Sequence, residues 1–264
     1  MWVRIAKISI PKIALIAFVI LVLSGSLYFS CTAFTDKRGE ADSGSSTGKS
    51  VSSTNPVSYH NIIIDPGHGG MDGGAVGADG TPEKGINLAI SLDLRDILVT
   101  KGFSVIMTRE TDVSIYDSGA QTIRQQKHSD LMNRLAIANE HPDALYICIH
   151  QNSFPQTQYW GTQVFYGGVN AGSQPLAECI QSAVCEMLQP DNTRQIKPIT
   201  SDVYIVYKAK NPAVLVECGF MTNANDLKKL ESEDYQKQMA EAIADGIVAY
   251  HTSSSGSAAS AASS

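Results

Sequence analysis

A chain of 264 residues with 43% hydrophobic and 17% charged content can bury one sizeable core, which excludes collagen-like, coiled-coil and wholly disordered classes. Its net charge of −6 is unevenly spread: Arg4, Lys7 and Lys12 give the first thirty residues +3, residues 31–60 balance, and the rest holds −9. So acidic a globular part excludes nucleic acid as a partner, and five scattered cysteines (Cys31, Cys148, Cys179, Cys185, Cys218) exclude a small disulfide-stapled scaffold.

In residues 1–30 the positive flank precedes an uncharged run whose apolar heart spans Ile13 to Leu23, the pattern of a signal peptide or membrane anchor. An uncleaved anchor is the favoured reading. In either case the positive flank stays cytoplasmic, so the remainder is expected to be exported, to the outer face of the cytoplasmic membrane or the cell wall. Residues 31–58 are dominated by Ser, Thr and Gly, too polar to pack, and read as a flexible linker. One globular domain is expected over residues 59–251, and the Ser- and Ala-rich residues 252–264 read as a frayed tail.

Within the domain, branched apolar runs at Asn61–Asp65, Ser104–Thr108, Leu145–His150, Thr162–Tyr166, Val203–Tyr207 and Ala213–Glu217 predict strands, several buried on both faces. Helical periodicity lies between them. Ile90, Leu94, Ile97 and Leu98 form one stripe, Leu131, Leu135 and Ala138 a second, and Met239, Ile243, Ile247 and Tyr250 a third. The alternation predicts a single-domain, three-layer α/β fold: a twisted, mostly parallel or mixed sheet of about six strands with helices on both faces. Cys148 and Cys218, inside strand runs, read as buried thiols.

Sites in such sheets form beyond the carboxyl ends of the strands, and three polar clusters fall there: Asp65-Pro66-Gly67-His68, His150-Gln151-Asn152 and Glu217-Cys218-Gly219-Phe220. His68 is wrapped by Gly67, Gly69 and Gly70, which leave the backbone open to close approach. Two imidazoles, from His68 and His150, and one carboxylate make a three-ligand zinc site with a fourth position for water. Glu83, where a helix begins after the glycine loop, is the candidate acid. It fits equally as a complement to the helix dipole, and spacing leaves both roles open because no compact H-E-x-x-H motif is present.

As an ordered set, Asp65-Pro66-Gly67-His68-Gly69-Gly70, Glu83, Ile149-His150-Gln151-Asn152 and Val216-Glu217-Cys218-Gly219-Phe220 resemble the zinc-dependent N-acetylmuramoyl-L-alanine amidases, over roughly Asn61 to Tyr250. The resemblance implies one Zn²⁺ per chain on His68, Glu83 and His150, Glu217 as the catalytic proton carrier, and supporting roles for Asp65, Asn152 and Arg109. It also implies peptidoglycan as the substrate, cut at the amide between N-acetylmuramic acid and L-alanine. Cys148 departs from the family's frequent serine, a change expected to alter strand packing more than chemistry.

Thr122 to Leu131, together with Tyr159 to Tyr166, is similar to the branch of that family that acts in spore-cortex maturation, where peptide removal prepares muramic acid for the δ-lactam recognised in germination. A general cell-wall amidase shares the core motifs. A zinc hydrolase of another specificity and a non-catalytic, membrane-tethered wall-binding domain are the rival readings. The sequence leaves open whether another protein activates the chain. Tyr159 and Trp160 read as either a sugar-contacting wall or closure of the core. Arg124, Lys127 and Arg134 read as a solvated basic helix face or as contacts for stem-peptide carboxylates.

Overall fold

The computed structural model describes residues 60–261, which lie in the second of the chain's two compact units. The N-terminal signal or anchor, the linker and Cys31 lie outside the described residues. Six strands form one sheet in the order β2-β1-β3-β6-β4-β5. They are β1 (Asn61–Pro66), β2 (Ser104–Met107), β3 (Ala144–Asn152), β4 (Gln163–Tyr166), β5 (Lys197–Pro198) and β6 (Ala213–Phe220). Pairing is parallel except between β4 and β6, so the sheet is mixed.

Strand residues alternate between two cores, as the two-residue period requires. Ile62, Ile64, Leu145, Ile147, Ile149, Val214 and Val216 point to one side, under α1 (Glu83–Thr100), α3 (Ser173–Leu188) and α6 (Glu233–Ala261). Ile63, Tyr146, Cys148 and Leu215 point to the other, under α2 (Ile123–Glu140) and α4 (Tyr204–Lys208). Because both faces are covered, the central strands carry continuous apolar runs, Ile62–Ile64 in β1, Ala144–Ile149 in β3 and Ala213–Val216 in β6. On the second face α2 has 18 residues, as many as α1 on the first, while α4 has only five.

Two expectations need correction. Val203–Tyr207 is not a strand but precedes and enters α4. Ile205, Val206 and Ala209 are buried while Tyr204 and Tyr207 are exposed, an i, i+1, i+4 pattern that fits a helical turn and not strand alternation. The sheet edge is taken instead by β5, where Pro198, lacking an N–H, is tolerated. The segment from Thr252 is not frayed as far as Ala261, because α6 continues through it. Extending a helix already held by Met239, Ile243 and Ile247 costs no new nucleation, and Ala is the best helix former. Helix α3, whose Leu176, Ile180 and Val184 carry its buried stripe, and α5 (Ala224–Leu230), capped by Asn223, add to the predicted set. Among the described residues Cys148 and Cys218 are buried free thiols, and no helix is long and apolar enough to cross a membrane.

Candidate metal centre and active site

The end of β1 runs into Gly67 and His68, and His68 holds a left-handed backbone with φ 62°, the one non-glycine among the described residues to do so. Such a conformation costs energy and persists only when its surroundings impose it. Two arginines do so. Arg109 donates from Nε to the Pro66 carbonyl at 3.0 Å and from Nη2 to the Gly67 carbonyl at 2.9 Å. Arg134 donates from Nη1 to the Pro66 carbonyl at 2.9 Å and from Nη2 to the His68 carbonyl at 2.8 Å. Three successive carbonyls are thus clamped by guanidinium forks.

Asp65 holds the clamp in charge balance. Its carboxylate accepts from Thr108 and Tyr146 hydroxyls and from the Arg134 guanidinium. Burial opposes its ionisation, but Arg134 and these donors outweigh that and bring its pKa down to about 2. Arg134 is therefore a buried structural cation paired with Asp65 and Asp130, not part of a solvated face. The helical period of α2 turns Arg134 inward beside Ala138 and leaves Leu131 exposed.

The structure brings His68, Glu83 and His150 together, with one donor atom from each lying within 4.8 Å of the others. The His68 and His150 rings meet edge to face at 4.8 Å between centroids. Glu83 sits between them, its Oε2 3.3 Å from His68 Nε2 and its Oε1 2.9 Å from His150 Nδ1. Its carboxylate also accepts from the backbone N–H of Ala75 and Gln151 and from the Asn87 amide. Burial disfavours its charge, but His150 and His68 hold its pKa well below the ordinary range. The glycines make the space. A Cβ on Gly67 would lie 2.1 Å from His150 Nε2, and one on Gly74 would lie 2.6 Å from both Glu83 and His68.

Asp72, which the sequence reading passed over, accepts from His68 Nδ1 at 2.9 Å and is paired on its other oxygen with Lys127. Burial opposes a charge on His68, yet Asp72 and Glu83 together raise its pKa to about 10. A carboxylate on the far nitrogen fixes the ring's orientation, the arrangement that supports metal-ligating histidines. An acid four residues after a histidine, inside one glycine loop, was the available signal.

Glu217 lies on β6 directly opposite His150 in register, and on the same face. Its Oε2 is buried and has no hydrogen-bond partner. Burial and the nearby Glu83 carboxylate push its pKa up to about 8, against a smaller opposing pull from His68. An unsatisfied buried carboxylate oxygen beside two imidazoles and an acid is the polar deficit a cation or a water would relieve. Two imidazoles and one carboxylate also form a donor set that suits zinc. Asn152 stands past a register shift in β3, where its carbonyl accepts from Met221 N–H; its side chain has no hydrogen-bond partner among the described residues. Tyr159 and Trp160 are 42% and 39% exposed, which rules out closure of the core.

The family model described as N-acetylmuramoyl-L-alanine amidase matches residues 62–249. The chain is 36% identical over 197 residues to the germination-specific N-acetylmuramoyl-L-alanine amidase of Bacillus subtilis, covering 75% of this chain and 82% of that one. It is 34% identical over 199 residues to the amidase LytC of the same organism, covering 75% of this chain but 36% of that longer one. Among solved structures, the CwlD amidase from Clostridioides difficile, in complex with the GerS lipoprotein, is 40% identical with a TM-score of 0.70, covering 73% of this chain and 98% of that one. With the ordered cluster, the mixed six-stranded sheet and a family match over most of its length, the chain belongs to the N-acetylmuramoyl-L-alanine amidase family.

Proposed function

We propose that the chain hydrolyses the amide bond between N-acetylmuramic acid and L-alanine in peptidoglycan, with one Zn²⁺ held by His68, Glu83 and His150. The observation that carries this reading is the convergence of those three side chains beneath Glu217, whose Oε2 is buried without a partner. Zinc in such a site makes a bound water nucleophilic near neutral pH and polarises the carbonyl under attack.

The chain's own residues do the rest. Glu83, fixed by Ala75, Gln151 and Asn87, keeps a negative charge between the two rings. Asp72 holds the His68 ring so that Nε2 faces the ligand position. Glu217 takes a proton from the attacking water and delivers it to the departing amine of L-alanine, leaving the lactyl carboxylate on the sugar.

Likeness to the germination-specific relative and the Thr122–Leu131 and Tyr159–Tyr166 segments support a role in preparing spore-cortex muramic acid for its δ-lactam. The apolar run Ile13–Leu23 behind a positive flank supports export with the domain held at the outer membrane face. Digestion of intact peptidoglycan, read by mass spectrometry, tests the activity. Free peptides beginning with L-alanine are expected, and they should vanish on chelation and return with added zinc. New termini inside the stem peptide, or released acetate, would reject the reading.

A further inference from the structure

Beyond Glu217 the same sheet face continues to a second polar group that the proton-transfer machinery does not use. Gln163 of β4 is the register partner of Glu217 across an antiparallel pair, so the two side chains rise side by side from strands about 5 Å apart. The Gln163 amide oxygen accepts from Nη1 of Arg194 at 3.1 Å. Arg194 is further fixed by donation from Nε to the Trp160 carbonyl at 2.7 Å, and its guanidinium lies over the rings of Phe220, at 4.6 Å, and Tyr159, at 5.7 Å. It is held from three sides.

This cation differs from the other ordered arginines. Arg95 and Arg134 each pair with carboxylates, and Arg109 has every nitrogen on a backbone carbonyl. Arg194 is half-buried and forms no ion pair, the buried Asp226 carboxylate acting on it only from beyond ion-pair distance, and its Nη2 has no hydrogen-bond partner among the described residues. Stacking on two rings keeps the guanidinium flat and partly stripped of water, the state in which it best binds a carboxylate. It borders a cavity of about 270 Å³ lined also by Tyr159, Trp160, Asn192 and Thr193. Asp191 stands at the rim, exposed to solvent that screens its charge.

We propose that Arg194 is the specificity residue of a carboxylate subsite in this cavity, which takes the free carboxylate of the stem-peptide residue following L-alanine. The inference rests on the amidase reading above. Two residues of extended peptide reach roughly 7 Å, and a side-chain carboxylate extends that to about the separation of Arg194 from Glu217, one strand and one side chain away.

The test compares two synthetic N-acetylmuramoyl peptides, identical except that the residue after L-alanine carries a free carboxylate in one and a carboxamide in the other. Full-length protein loaded with zinc should cleave the carboxylate form with kcat/KM on the order of tenfold higher or more, chiefly through KM. Arg194→Gln should bring the two substrates to within about twofold of each other. Arg194→Lys, which keeps the charge but loses the fork, should retain part of the preference. Equal rates for the wild type on both substrates, or an equal loss on both in the Arg194→Gln protein, would overturn the subsite and leave the amidase reading intact. Cleavage of neither peptide by wild-type protein, with zinc bound, would overturn both. A Gln variant that fails to fold is covered by a binding measurement on the wild type: calorimetry with the two free peptides should show tighter binding of the carboxylate form, and equal binding counts against the subsite.

Discussion

Two polar regions lie side by side at the carboxyl end of the sheet, and they are built on opposite terms. Under the glycine loop, Asp65, Thr108, Arg109, Arg134 and Tyr146 satisfy one another so fully that three successive backbone carbonyls are gripped by guanidinium donors. One strand over, Glu217 Oε2 is buried with no hydrogen-bond partner among the described residues. The first region spends its polar groups on rigidity. The second leaves them in want, which raises the proton affinity of Glu217 and costs stability that a saturated site would have kept. Removing a side chain from each region should therefore damage different things.

The largest effect is expected at the unsatisfied side. Glu217→Ala should lower kcat by about 10²–10⁴-fold, the usual worth of a positioned proton carrier. Because the variant removes an unpaired buried carboxylate, its midpoint in denaturant should hold or rise. Turnover assays beside urea unfolding check both, and unimpaired hydrolysis would show that another group carries the proton.

At the saturated side the order reverses. Asp65→Ala leaves the buried Arg134 with Asp130 alone and takes the acceptor from Thr108 and Tyr146, a break in a buried charge network that costs about 3–5 kcal/mol, and it should be read first in unfolding and only secondarily in activity. The same residue sets an acid limit. Its folded-state pKa is depressed from 3.8 to about 2, so its contribution is present above pH 4 and is lost as pH falls from about 4 to about 2. The loss amounts to roughly 2 kcal/mol at about 1.4 kcal/mol per unit. Unfolding free energies at pH 5 and pH 2 measure it, and Asp65→Asn should remove that part of the slope.

How legible these regions were depends on where the partners come from. His68, His150 and Glu217 stand at the exits of apolar strands, and Glu83 at the start of a helix with a clear Ile86, Ile90, Leu94 stripe, so local pattern placed them near one end of the sheet, while the roles of Glu83 and Glu217 came only from the family resemblance. The saturated cradle was hidden because Arg134 reaches Asp65 from 69 residues away, and a helical arginine in sequence looks the same whether it faces water or a buried acid. Arg194 was hidden for the same reason: its partners Trp160, Gln163 and Phe220 come from three separate segments. The Val203–Tyr207 run misled because β-branched and aromatic residues favour strands locally, whereas the burial of Ile205, Val206 and Ala209 under the sheet is settled only by tertiary packing.

Between the two regions lies Asp72, which belongs to neither: half-exposed, yet holding a candidate ligand. Asp72→Ala should weaken zinc binding by about 10–100-fold, as loss of a carboxylate behind a ligating histidine does, with little change in unfolding of the metal-free protein. Competition with a chromophoric chelator measures the change. A loss of stability with unchanged affinity would move Asp72 to the structural side of the comparison.

The smallest effect sharpens where the boundary runs. Lys127 bonds the outer oxygen of Asp72 at 2.9 Å, but its side chain is 57% exposed and its charge is shared with solvent. Such a pair is worth about 0–1 kcal/mol and is screened by salt, whereas the Asp65–Arg134 pair is shielded from both. Lys127→Ala should therefore change zinc affinity by no more than about threefold at low salt, and by less at high salt, where the wild type loses the same increment. A tenfold or salt-independent loss in the same chelator competition would mean that the rim lysine belongs to the rigid framework, and that the well-satisfied region extends through Asp72 to the metal ligands themselves.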